Sequence, residues 1–244
     1  MGTLDEARGP VGLLIVSGGN EVRAGAHRGM ALLAARLARD GVPVFRFDRR
    51  GVGDSSGANG GFASAADDIA AASACFRASS PALKHLMAFG NCDGATALAL
   101  FGRAAGVYAL VLANPWVVER ASGDLPPPAA IRARYAARLR SPREWVRLAS
   151  GRVDLRKLVS GLWSISAKRR ETDLPRRFAI GITGIPTTIL LARGDATAIA
   201  YRHAVSGLNV PEPALVETDS HSFARPGDME AVEAAIRAAV ATLA

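Results

Sequence analysis

Gly90-Asn91-Cys92-Asp93-Gly94 stands between an apolar run, His85–Phe89, and a helical pattern, Asp93–Phe101. A side chain projects from so sharp a strand-to-helix corner only if the residues two before and two after it are very small, and Gly90 and Gly94 satisfy this. The corner presents the Cys92 thiol beside the N-terminus of the following helix, where the helix dipole favours negative charge. It also places the Asp93 amide to donate to a developing oxyanion. The plain alternative is a structural cysteine on a tight turn, and the strand and helix on either side count against it. The second cysteine, Cys75, falls inside an Ala-rich helix and reads as an inert core thiol.

A cysteine nucleophile needs an imidazole base, and the base needs a carboxylate to orient it. The chain has four histidines. His221 follows the last predicted strand in Thr218-Asp219-Ser220-His221-Ser222-Phe223, and Asp195 directly follows the strand before it. Both therefore leave the sheet at the edge that carries Cys92. Asp195 also suits the N-cap of the next helix, a role compatible with the first. Asp219 is a rival acid, although its place two residues from His221 suits the turn better. His203 falls in mid-helix and His85 begins a buried strand, whereas His27 follows the first loop and is a candidate pocket residue.

Acyl transfer also needs a second oxyanion donor. The loop Ser17-Gly18-Gly19-Asn20 lies at the same sheet edge, with the amide of Gly19 or Asn20 as the candidate. A Gly-rich loop after a first strand can instead bind a dinucleotide, but GxGxxG is absent and no acidic residue closes the second strand in the usual way. The site calls for no cofactor and no metal, and the chain has no CxxC pair for zinc.

The elements that must position these residues are legible in the apolar pattern. Val11–Val16, Val42–Phe47, His85–Phe89 and Val107–Ala113 read as strands, separated by helices around Met30-Leu33-Leu37, over Ala63–Ala78 and over Asp93–Phe101. Gly41 closes the first helix. The alternation resumes with a strand at Pro186–Leu191, a helix near Ala196–Ser206, a short strand at Ala214–Val216 and a closing helix striped by Met229, Val232, Ile236, Val240 and Leu243. This order predicts an α/β fold: a doubly wound, mostly parallel sheet with helices on both faces. The core comprises residues 1–114 and 186–244, interrupted by a helical cap insertion over 115–185.

The insertion holds 15 of the 30 Lys and Arg but only 6 of the 22 Asp and Glu, so it carries all the excess positive charge of a chain with net charge +8. Its apolar stripes include Ile131-Tyr135-Leu139, Trp145-Leu148 and Leu155-Leu158-Leu162, and Ser141-Pro142-Arg143-Glu144 starts a helix with a capping box. The bland reading of its arginines is a solvated face. The sharper one has Arg134 and Arg138 meet an anionic portion of the substrate, and a third has the basic helices lie on a membrane surface. A basic total can also mean nucleic acid, but no aromatic-interleaved basic platform supports that. No apolar run reaches a membrane span and no leader is visible at the N-terminus, which together with two cysteines points to a cytoplasmic protein.

The Gly-Gly loop, the turn Asp48-Arg49-Arg50-Gly51-Val52-Gly53-Asp54-Ser55, the Cys92 corner, the helical insertion, Asp195 and His221 together resemble the α/β-hydrolase superfamily. Within it a cysteine corner is similar to dienelactone hydrolase. The stretches Gly18–Arg28, Phe45–Ser55 and Gly90–Gly94 resemble the exosortase A system-associated hydrolases of type 1, bacterial proteins encoded beside exopolysaccharide and protein-sorting genes. The resemblance implies Cys92 as nucleophile, Asp195 as acid and His221 as base, acting on an ester, thioester or lactone. The neighbouring possibilities are an acyltransferase and a non-catalytic member of the fold that binds a ligand or partner in exopolysaccharide assembly. In this resemblance Asp48–Ser55 is a scaffold turn, with Arg49 or Arg50 reaching the site as the minority reading. The fold ordinarily opens with an antiparallel hairpin, and only ten residues precede Val11, so the first two strands are expected to be missing or replaced. A sheet edge bared in that way favours a homodimer.

Overall fold

A computed structural model describes residues 1–118 and 173–243. The elements are β1 (Gly2–Asp5), β2 (Val11–Val16), α1 (Gly29–Arg39), β3 (Val44–Phe47), α2 (Ala66–Ser79), β4 (His85–Asn91), α3 (Asp93–Phe101), β5 (Ala109–Ala113), α4 (Leu174–Ile182), β6 (Thr187–Ala192), α5 (Ala196–Ala204), β7 (Ala214–Val216) and α6 (Asp228–Ala241). The strands form one sheet in the order β1-β3-β2-β4-β5-β6-β7. All neighbours are parallel except β1 and β3.

Every residue of β2 is buried, as expected of a central parallel strand covered on both faces. Alternate strand residues feed two cores. On one face Leu13, Ile15, Met87, Phe89 and Val111 pack with Leu33 and Leu37 of α1 and Val232 and Ile236 of α6. On the other, Leu14, Val16, Leu86, Leu110 and Leu112 pack with Phe76 of α2, Leu98 of α3, Phe178 of α4 and Tyr201 of α5. Burying each Leu, Ile or Phe is worth about 1.5–3 kcal/mol, so the two layers fix the sheet and with it the loops at its carboxyl edge.

The N-terminal expectation needs correcting. Residues 2–5 form an antiparallel strand on β3, with Gly2 opposite Phe47 and Asp5 opposite Val44. The edge expected to be bare is thus occupied, and Arg46 of β3 clamps it by donating to Asp5 at 2.9 and 3.0 Å. The edge-strand argument for a homodimer loses its ground there, because the exposed row is now a four-residue strand, too short to template pairing well.

At the other boundary, α4 lies directly on α3, where a Cβ on Gly181 would run into the Ala99 carbonyl. The expected stripes of the insertion, its capping box, and Arg134 and Arg138 lie outside the described residues. Among the described residues no helix is long and apolar enough to cross a membrane.

Candidate active site

The chain runs from β2 to β3 on one side and returns to β4 on the other, so the strand order reverses between β2 and β4. A crevice opens outside the carboxyl ends of strands at such a point. The Gly-Gly loop leaves β2 and the Cys92 corner leaves β4, and Val16 pairs with Gly90. Cys92 has φ 56° and ψ −126°, a conformation that non-glycine residues seldom adopt. Its amide donates to the Ala113 carbonyl at 3.0 Å, and its carbonyl accepts from Trp116 N–H at 3.2 Å. Close packing enforces the corner: a Cβ on Gly90 would lie 2.8 Å from the Ala95 nitrogen, and one on Gly94 would overlap the Val16 carbonyl. The two small residues read from the sequence are thus sterically required.

His221 follows β7 and Asp195 follows β6, and the two side chains meet: His221 Nδ1 donates to Asp195 Oδ2 at 3.1 Å. The same carboxylate oxygen accepts from the Thr197 and Ala198 amides at 3.0 Å each, so Asp195 also caps α5. Burial pushes the Asp195 carboxyl up, but the hydrogen bonds from His221 and the two amides outweigh it and hold the group below its ordinary value. For His221 the bond to Asp195 and, after it, the neighbouring Cys92 side chain outweigh burial and push the imidazole from 6.5 up to about 10. His221 is thus bonded to Asp195 and neighbours Cys92, so the three side chains lie in a row. Asp219 is not part of it, since its exposed carboxylate pairs with Arg225.

On the other side of the crevice, Gly18 presses on the corner so closely that a Cβ there would sit 2.9 Å from Cys92 Cβ. The two candidate oxyanion amides of this loop differ. The Gly19 amide is already engaged, donating to Asp93 Oδ1 at 2.5 Å. That bond occupies the Gly19 amide and leaves the Asn20 amide as the freer candidate beside that of Asp93. The Asn20 side chain faces away, accepting from Asn59 at 2.7 Å. His27 is exposed, in a left-handed turn before α1. Among the described residues it has no hydrogen bond to the row.

A family model described as serine aminopeptidase, S33 (Hydrolase_4) matches residues 12–178, more than half of the chain. The chain belongs to that family of α/β hydrolases. The matched stretch takes in the corner and stops short of Asp195 and His221, and the residue at the corner is cysteine where the family name speaks of serine. No curated protein matches the sequence. Solved structures share the fold at low identity. An α/β serine hydrolase without lid from Xanthomonas campestris has a TM-score of 0.56 at 18% identity, over 96% of this chain and 82% of that one. A hydrolase from Pseudomonas aeruginosa has a TM-score of 0.58 at 21% identity, over 96% and 91%. An α/β serine hydrolase homologue from Coxiella burnetii has a TM-score of 0.59 at 15% identity, over 96% and 88%.

Around the row of this S33-family hydrolase stand residues to which the sequence reading gave no role. Asn114, fully buried at the end of β5, donates to the His221 carbonyl at 3.0 Å and accepts from the Ala192 amide at 2.8 Å. It thereby ties the loop carrying His221 to the strand end that precedes Asp195. Asn91 adds a second donor to the same carbonyl at 3.2 Å. The signal for Asn114 was present: Asn-Pro after an apolar run marks a turn, and Asn tolerates its φ of 42°. Glu21 is another. Burial raises its carboxyl, while the Ala26 amide at 2.6 Å and the charge of His221 act the other way without cancelling the rise. Arg49, to which the DRRG turn gave the site only as a minority reading, also reaches the corner, through Asp93.

Proposed function

We propose that this hydrolase acts on ester, thioester or lactone carbonyls through a Cys92–His221–Asp195 triad and an acyl-enzyme intermediate. The observation that carries the reading is the His221–Asp195 bond at 3.1 Å, with the Cys92 side chain beside the same imidazole at the carboxyl edge of the sheet. His221 takes the Cys92 proton as the sulfur attacks the carbonyl carbon. The tetrahedral oxyanion is met by the Asp93 and Asn20 amides. As the carbon–oxygen or carbon–sulfur bond of the substrate breaks, His221 gives its proton to the leaving group, and the acyl group stays on sulfur. Water then attacks this thioester while His221 takes up a proton, and the acid product leaves. Activated carbonyls are favoured over amides because the thiolate is itself a good leaving group.

The basic segment supplies the finer reading, an acidic substrate held by Arg134 and Arg138. Neutralising both should raise KM for an acidic ester far more than for a neutral one, and equal effects on both substrates would remove this idea. The triad is tested by iodoacetamide labelling read by mass spectrometry. Fast alkylation is expected at Cys92, absent in Cys92→Ala and slowed in His221→Ala. A wild-type chain that labels no faster at Cys92 than at an ordinary exposed thiol, and that fails to turn over p-nitrophenyl acetate, would be a non-catalytic member of the fold.

A further inference from the structure

Arg49 lies just beyond β3 and is only 5% exposed, yet it serves neither the core nor the surface. Its Nη2 donates to the Gly19 carbonyl at 2.6 Å and to the two carboxylate oxygens of Asp93 at 3.1 and 3.3 Å. Asp93 Oδ1 accepts from the Gly19 amide. One ion pair thus grips both polar groups of Gly19, whose φ of +56° already sets the loop apart from extended backbone. In a trans peptide the carbonyl and the following N–H point in opposite directions. With its carbonyl drawn toward Arg49, the Gly19–Asn20 peptide turns the Asn20 N–H away from the ion pair.

Charge gives the pair a second purpose. Asp93 is the residue after the nucleophile candidate, and its carboxylate is 15% exposed. Unneutralised, it would repel an oxyanion forming beside its own amide. Arg49 cancels that charge and has capacity in reserve, since its buried Nη1 has no hydrogen-bond partner among the described residues. A buried cation whose donors are not saturated favours an increase of negative charge nearby.

We infer that Arg49 is a positioning residue for the oxyanion hole: it orients the Gly19–Asn20 peptide and neutralises Asp93 so that the amides of Asp93 and Asn20 can hold the carbonyl oxygen of an acyl group on Cys92. The inference rests on Cys92 being the nucleophile. It separates two reactions of one thiol. Acylation by p-nitrophenyl acetate builds an oxyanion, and alkylation by iodoacetamide builds none.

In the purified full chain, Arg49→Gln should lower kcat/KM for p-nitrophenyl acetate about 10²-fold, mostly through kcat, the size of losing one oxyanion donor. Its Cys92 alkylation rate should stay within about threefold of wild type. Arg49→Lys keeps the charge but cannot span all three acceptors, so a loss of about tenfold in acylation alone is expected. In an Asp93→Asn background the Arg49→Gln change should matter several-fold less, because there is no charge left to neutralise. Should Arg49→Gln fail to fold, the Arg49→Lys comparison carries the test by itself. Equal losses in acylation and alkylation, or wild-type acylation in Arg49→Gln, would overturn the inference. A wild-type chain with no fast alkylation at Cys92 fails at the earlier step, and the inference falls with the proposed mechanism.

Discussion

Cys92 and Cys75 are the same side chain in two settings. Cys75 lies on α2, exposed, beside an open cavity of about 510 Å³ shared with Phe45, Phe47 and Asp68. Cys92 is half-buried on a strained corner, beside an imidazole that a carboxylate holds in place. The more accessible sulfur is the one with no surrounding chemistry. Exposure admits a reagent; activation of a nucleophile comes from a base, a fixed geometry and donors for the charge that develops.

The sharpest break of this contrast is in turnover. Cys92→Ala should lower p-nitrophenyl acetate hydrolysis about 10³-fold or to background, while Cys75→Ser leaves it within about twofold. Comparable losses in the two would erase the distinction. Next in size is Asp195→Asn, which keeps the shape and removes the charge that orients His221. About a 10²–10³-fold loss is expected, with the His221 imidazole titrating back toward 6.5, seen by NMR.

Asn114→Ala attacks the support beneath the row. Leaving the Ala192 amide without its acceptor and the His221 carbonyl without a donor should destabilise the fold by about 1–3 kcal/mol in urea. Activity should fall about tenfold as the loops carrying His221 and Asp195 loosen.

The smallest effect is one of pH on stability. His221 has its pKa raised in the fold, so its contribution is complete below about 6.5 and drains away as pH rises through about 10. The urea midpoint difference between wild type and His221→Gln should therefore be widest near pH 6 and close by pH 11. A difference that grows with pH would mean that His221 is held neutral.

Much of the frame was legible because periodicity and punctuation agreed. The bounds of α3 at Asp93–Phe101 and of β7 at Ala214–Val216 match the sequence reading, and the Gly90 and Gly94 spacing marked the corner. The chain order of Cys92, Asp195 and His221 brought all three to one sheet edge. What escaped depends mostly on partners distant in sequence. The four residues of β1 owe their strand to the free edge of β3, a partner met only in three dimensions. Cys75 was expected in the core and is exposed: Ile69 and Phe76, seven positions apart, mark the buried face of α2, and Cys75 lies off it. The sequence left the Gly19 and Asn20 amides as equal candidates; a carboxylate 74 positions away takes the first. Asn114 joins three strand ends, so its role appears only once the sheet is assembled.

The most direct test is whether an acyl group passes through Cys92. Protein quenched in acid during turnover of p-nitrophenyl acetate, digested and read by mass spectrometry, should carry one acetyl group on the peptide containing residue 92. That acetyl should disappear once substrate is exhausted. Steady turnover with that peptide unmodified, or acetyl found on a different side chain, would contradict it.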